Sequence, residues 1–390
     1  MIEQCPVCGQ AATAALDRPL EMPILMNRVY PSAELGRAAA KGPLDFAACG
    51  HCGFAWNRAF DPALIVYDED YENDQAFSAS FRAHMEARAA DVVNSVPAGD
   101  PISYLEVGCG QGRFLEQVVK AAGDRLRSAE GFDPAWRGQD GEGPGGARIH
   151  RHYFNTGTAS LLSHAPNVVA SRHTIEHVSD PVGFLTAIRQ ALGPTSTARL
   201  WIETPCVSWI IRHRAMQDFF YEHCSLFTAG SLALALRKAG FVSPRVGHVF
   251  GGQYLWAEAL AAGPVEEDTP DAQPEQQSLE HVREDFVRRW QAELTQARQQ
   301  GPVALWGAGA KGVSFAILTD PENKTIDHVV DINPGKQGFF LPGSGLRVMS
   351  PEGSAARHPH TIFVMNPNYL REIEETARAV GIAARFVAIE

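Results

Sequence analysis

The chain has 390 residues, 45% of them hydrophobic and 20% charged, and a formal net charge of −11. Such a length predicts two or three domains rather than one, and the composition is that of a globular protein in water. The acidic balance argues against nucleic acid or an anionic membrane as a partner. The apolar runs are short and broken by charge or glycine, which speaks against a membrane span. The opening MIEQCPVCG lacks a charged segment followed by an apolar one, so the expected compartment is the cytoplasm.

Residues 1–85 form the first predicted unit. Cys5 and Cys8, and Cys49 and Cys52, make two C-x-x-C pairs, CPVCG and CGHCG. Each pair carries the glycine that a tight zinc knuckle needs, where two thiolates meet one tetrahedral ion. Four thiolates leave no open position, so the predicted zinc is structural, and His51 is read as a bystander. Cys109, Cys206 and Cys224 stand alone. An acidic aromatic stretch, VYDEDYENDQAFSASF, closes this unit.

Residues 86–262 alternate strand and helix patterns. In ISYLEVGCGQGRFLEQVVKAAG a buried strand over 102–107 enters a turn bearing Gly108, Gly110 and Gly112, and a helix follows. The third glycine comes one residue too early for a dinucleotide fingerprint. With Glu106 before the first glycine, the pattern E-x-G-x-G-x-G instead resembles motif I of the class I S-adenosylmethionine-dependent methyltransferases. That resemblance implies that the turn passes under the amino-acid end of the cofactor. It also implies that Asp133, in SAEGFDPAW, takes the ribose hydroxyls. In the next strand, NVVASRHTIEHVSDP, His173, Glu176 and His177 spell H-x-x-E-H. That order also occurs in inverted zinc hydrolases. Its position beside the cofactor turn favours a cofactor- or substrate-facing role for His173 and a packed role for His177.

Residues 263–278 are acidic and rich in proline and glutamine and read as a linker. Beyond them, Leu279, Val282, Phe286, Val287, Trp290 and Leu294 recur at helical spacing. That helix opens a unit over 279–390, in which LWGAGAKGVSF sets Gly307, Gly309 and Gly312 in G-x-G-x-x-G order after a strand. Lys311 lies within the turn, and Asp331 follows Gly312 by nineteen residues. Taken alone, that spacing favours NAD. The predicted architecture is α/β: a class I methyltransferase core, an N-terminal zinc-binding domain and a second, C-terminal Rossmann-like domain.

These pieces together resemble the C-methyltransferases of nucleotide-linked keto-deoxysugars. The likeness is carried nearly end to end by the two knuckles, the methyltransferase turn, YEHCSLFTAGSL, FGGQYLWAEA, and GAGAKGVSF with VVDINPGKQGFFLPGSGLRV. The resemblance implies a C-terminal domain that holds the nucleotide of the substrate without a redox cofactor. Gly307, Gly309 and Gly312 would cradle the diphosphate on backbone N–H groups, Lys311 would add charge and Asp331 would accept from a ribose hydroxyl. It also points to His223 as the base that removes a proton beside a ketone, with Glu222 as orienter or substrate ligand. His173 is then the candidate donor to the enolate oxygen.

Two departures fall where the family faces its sugar. Phe220 stands where the family has a tyrosine, and Asn73 replaces the second tyrosine of D-Y-x-Y-x-S, leaving Asp70 and Tyr71. Tyr71 and Tyr221 are the neighbouring hydroxyls that could substitute. The alternatives are O- or N-methylation on the same scaffold, or an NAD-dependent enzyme using the second glycine turn. The expected partner is a small molecule, nucleotide-linked, and the expected state a monomer.

Overall fold

The computed structural model describes residues 3–11, 14–66, 71–263 and 281–389. The predicted linker, Leu279 and Asp70 lie outside these residues, apart from residue 263. Among the described residues no helix is long and apolar enough to cross a membrane.

Helix α1 (Ala79–Asn94) starts where the Ser78 side chain accepts from the Phe81 amide, and it buries Phe81, Met85, Ala89 and Val92. Residue 85, read from the sequence as a boundary, falls inside it. Strand β1 (Ile102–Val107) is buried along its whole length, as a central parallel strand with both faces covered must be. There follow α2 (Arg113–Ala122), β2 (Leu126–Phe132), β3 (Arg148–His150), β4 (Val168–Arg172), α3 (Pro181–Ala191) and β5 (Arg199–Pro205). Then come α4 (Ala229–Lys238), β6 (Val242–Val249) and β7 (Tyr254–Leu260). The sheet order is β6-β7-β5-β4-β1-β2-β3. Strands β1 to β5 pair in parallel, while β7 inserts antiparallel to both β5 and β6. The order reverses between β1 and β4. A crevice opens at such a switch point, at the carboxyl ends of the strands.

The C-terminal sheet repeats that plan. Helix α5 (Val282–Gln300) buries Phe286, Trp290 and Leu294. It leads to β8 (Val303–Trp306), α6 (Ala310–Thr319), β9 (Ile326–Val330), β10 (Val348–Met349), β11 (Thr361–Val364), α7 (Leu370–Ala379) and β12 (Arg385–Ala388). The order is β10-β9-β8-β11-β12, parallel throughout.

The N-terminal residues do not stand apart from these sheets. Ser225–Leu226 adds to the small sheet of Ala14–Ala15, Phe46–Ala48 and Ala55–Asn57. One core joins Cys5, Phe54 and Trp56 to Leu105, Val107 and Phe227. Another joins Met22, Met26 and Phe46 to Phe220, Trp290 and Phe315. The glycine turn of each large sheet is thereby held at a fixed place relative to the N-terminal loops.

Candidate active site and four-cysteine cluster

The four predicted thiols converge. Cys5 Sγ lies 3.6 Å from Cys52 Sγ, and Cys8 Sγ lies 3.4 Å from Cys49 Sγ. All four sulfurs lie within 4.8 Å of one another. Thiolates about 2.3 Å from one tetrahedral ion would stand about 3.8 Å apart, so the cluster fits zinc in number, chemistry and spacing. His51 is exposed and outside it.

At the first glycine turn, Gly108, Gly110 and Gly112 all take positive φ, at 74°, 53° and 71°. A Cβ on Gly108 would lie 2.2 Å from Thr174 Oγ1, whereas one on Gly110 would meet nothing within 4 Å. The turn is thus pressed on the sheet by one face and open on the other, leaving room for a ligand. Asp133, at the end of β2, accepts from the Gly110 amide at 2.7 Å and from the Ala135 amide at 2.8 Å. Its carboxylate therefore braces the turn and keeps lone pairs for a hydroxyl. Burial raises its pKa. Glu106 is different: it is buried beneath the turn, accepts from the Tyr104 hydroxyl at 3.2 Å, and is pushed up to about 8 by that burial.

A cavity of ≈ 290 Å³ lies where the three parts of the chain meet. Tyr71, His173, Glu222, His223, Gly307, Gly309, Lys311, Gly312 and Asp331 all line it. So do Asn73 and Phe220, the two departures noted above. His173 sits just past β4 at φ 49°, a left-handed conformation costly for a side-chain-bearing residue. Its Nδ1 stands 3.4 Å from Glu176 Oε1, and its ring meets Tyr254 edge to face at 4.7 Å. His223 packs against Phe220, ring centroids 4.0 Å apart, and stands edge-on to His177 at 4.8 Å. Burial, with His177, His173 and Lys311 nearby, holds its pKa well below the usual histidine value. Glu222 Oε2 accepts from the Met26 amide at 2.8 Å, while Oε1 is buried with no hydrogen-bond partner. Burial pushes this carboxyl up to about 7, opposed by the hydrogen bond with Tyr71.

On the C-terminal side, Asp331 accepts from the Ala308 amide at 2.7 Å and from the Asn333 amide at 2.8 Å. The acid thus closes the glycine turn it follows by sequence. A Cβ on Gly312 would lie 2.0 Å from the Gly307 carbonyl oxygen. Gly312→Ala is therefore expected to cost at least ~1–3 kcal/mol of stability through overpacking, measured by denaturant unfolding; an unchanged midpoint would refute this.

Two predicted residues need correcting. Tyr221 does not line the cavity: it is fully buried beside Gly42 and Phe60, and its hydroxyl accepts from the Asp61 amide at 2.9 Å. It packs the wall behind the site and leaves the catalytic set. Lys311 lines the cavity, but its charge is matched by Asp218 at 2.9 Å, with the ammonium 5.5 Å from the Trp209 ring centre. It is not a spare cation for a diphosphate.

The cation that sequence reasoning passed over is Lys336, of the quoted K-Q-G stretch. It is buried, lines the cavity, and donates to Asn27 Oδ1 at 3.2 Å and to the Ala308 carbonyl at 3.1 Å. Glu203 was also missed. Buried within β5, it accepts from Arg172 Nε at 2.5 Å and lies 2.5 Å from His84 Nε2. Charges spaced 119 residues apart carry no sequence signal.

Residues 81–243, which carry the open-faced glycine turn and its aspartate, match the methyltransferase-domain family, and this chain is an S-adenosylmethionine-dependent methyltransferase. Residues 274–389 match the C-methyltransferase C-terminal domain. It is similar to C-methyltransferase NovU of Streptomyces niveus, with 24% identity over 399 residues, 95% of this chain and 91% of that protein. Among solved structures it is similar to magnesium protoporphyrin IX methyltransferase from Synechocystis, at 10% identity with a TM-score of 0.35 over 48% of this chain and 88% of that one. It is also similar to a possible histamine N-methyltransferase from Thermotoga maritima, at 17% identity with a TM-score of 0.31 over 45% and 89%.

Proposed function

We propose that the enzyme methylates a carbon next to the ketone of a nucleotide-linked keto-deoxysugar. The carrying observation is that one cavity connects His173 and His223 to the second glycine turn. A sugar could there face the histidines while its nucleotide lies against Gly307, Gly309, Gly312 and Asp331. The likeness to a C-methyltransferase over nearly the whole chain supports the same reading.

Gly108, Gly110, Gly112 and Asp133 would hold S-adenosylmethionine, which supplies an electrophilic methyl group when bound. His223 takes the proton beside the ketone, and His173 donates to the oxygen where enolate charge develops. Tyr71 and Glu222 orient the sugar. Cys5, Cys8, Cys49 and Cys52 would hold a structural zinc ion. The proposed setting is a cytoplasmic monomer with the domain limits given above. Phe220 and Asn73, which line the cavity where the family has tyrosines, favour one second reading, an O- or N-methyltransferase for a less polar acceptor.

Thermal shift separates these readings, because a ligand at a hundred times its dissociation constant adds about 2.7 kcal/mol. S-adenosylmethionine is expected to stabilise the protein, as are dTDP or UDP. Stabilisation by NAD and not by a nucleoside diphosphate would sink the sugar reading. Asp133→Asn is expected to weaken S-adenosylmethionine binding roughly ten- to hundredfold, the cost of losing a hydrogen bond to a charged group. Calorimetric titration measures it, and unchanged affinity would remove Asp133 from the site.

A further inference from the structure

We infer that Glu176, not the adjacent Glu222, is the carboxylate that serves the base His223, acting as a positioning residue within a cluster of three histidines. This rests on the reading of His223 as the base. Sequence adjacency suggested Glu222, but its carboxylate is turned toward the Met26 amide and Tyr71. Glu176 is fully buried and lines the same cavity. Its Oε2 accepts from the Thr204 hydroxyl at 3.1 Å, and its Oε1 lacks a proper hydrogen-bond partner, with His173 Nδ1 the near neighbour at 3.4 Å. The ligating atoms of Glu176, His177 and His223 all lie within 4.8 Å of one another.

The chemistry gives this carboxylate a task. When the acceptor's C–H bond breaks, its proton passes to the imidazole of His223 and its electron pair becomes the enolate. That pair then forms the new bond to the methyl carbon, and the S–C bonding pair leaves with sulfur. The enolate charge is then gone, while an imidazolium remains in a buried site. Burial and the nearby His177, His173 and Lys311 all oppose that charge. Glu176 is the anion placed to offset it. His177, a member of the same cluster, is hydrogen-bonded to the Glu222 backbone and feels the Glu176 charge; Cys224 feels it too.

The test needs no acceptor. The full-length protein, labelled with ¹⁵N-histidine and saturated with S-adenosylhomocysteine, is titrated by NMR as wild type, Glu176→Gln, Glu176→Asp and Glu222→Gln. The Gln variant at 176 is expected to lower the protonation midpoint of the cluster by about one pH unit or more, as loss of a near opposite charge does. The Asp variant should restore most of that shift, and Glu222→Gln should leave the midpoint in place. A shift in Glu222→Gln alone would overturn the inference. So would a second transition-metal ion per chain that disappears in Glu176→Gln, since the three side chains would then be ligands. Failure to methylate any keto sugar would count against the proposed function and leave the titration result standing.

Discussion

Replacing His223 with asparagine is expected to reduce kcat about 10²–10⁴-fold, the usual contribution of a positioned general base, with S-adenosylmethionine affinity unchanged. Asparagine keeps a polar side chain of similar reach against Phe220 and His177 but cannot accept a proton at neutral pH. His223 is half-buried in the cavity wall, and the turn of Gly108 to Gly112 is not part of that wall, so cofactor binding has no reason to suffer. The measurement is methyl transfer to a nucleotide-linked keto-deoxysugar under single-turnover conditions, with a parallel assay for solvent deuterium entering the carbon beside the ketone. Loss of both activities in the variant supports proton abstraction by His223. Retained deuterium exchange with lost transfer would assign the base elsewhere. The pH profile adds a check, because a buried histidine with a depressed pKa is already neutral below pH 6.5 and should keep activity to lower pH than a solvated one.

Removing the metal is expected to have a still larger effect on the fold. Cys49→Ser, or exhaustive chelation, should release one zinc ion per chain and collapse the N-terminal part. Structural zinc in small motifs is worth on the order of 10 kcal/mol. The damage should spread: Cys5 and Cys49 share a core with Phe54, Trp56, Phe227 and Leu105, and the N-terminal segment supplies Asn27 and Tyr71 to the cavity wall. Metal analysis, thermal unfolding and S-adenosylmethionine binding on the same sample measure it. A chain that never held zinc, or one whose unfolding midpoint ignores the chelator, would refute the assignment.

Much of this was legible in the chain. Spacing alone announces the two knuckles, because two thiols in one tight turn can face one ion whatever surrounds them. The glycine turns are equally local. A strand that must bend sharply into a helix needs positive φ at fixed positions, and Gly108, Gly110 and Gly112 supply it. The helix opening the C-terminal part was readable from its periodic Phe286, Trp290 and Leu294, all of which are buried.

The direction of each side chain within the site was not legible. Glu222 and His223 are neighbours in sequence, yet the carboxylate turns to the Met26 amide and the ring to His177. Tyr221, one residue earlier, faces away from the cavity. Lys311 looked free until Asp218, ninety-three residues away, took its charge. The sequence by itself determined the local devices: knuckles, glycine turns, and the alternation of strand and helix that builds two largely parallel sheets. Only the tertiary structure decided which acid meets which base, because a buried charge is stable only beside its partner, and long-range packing chooses that partner.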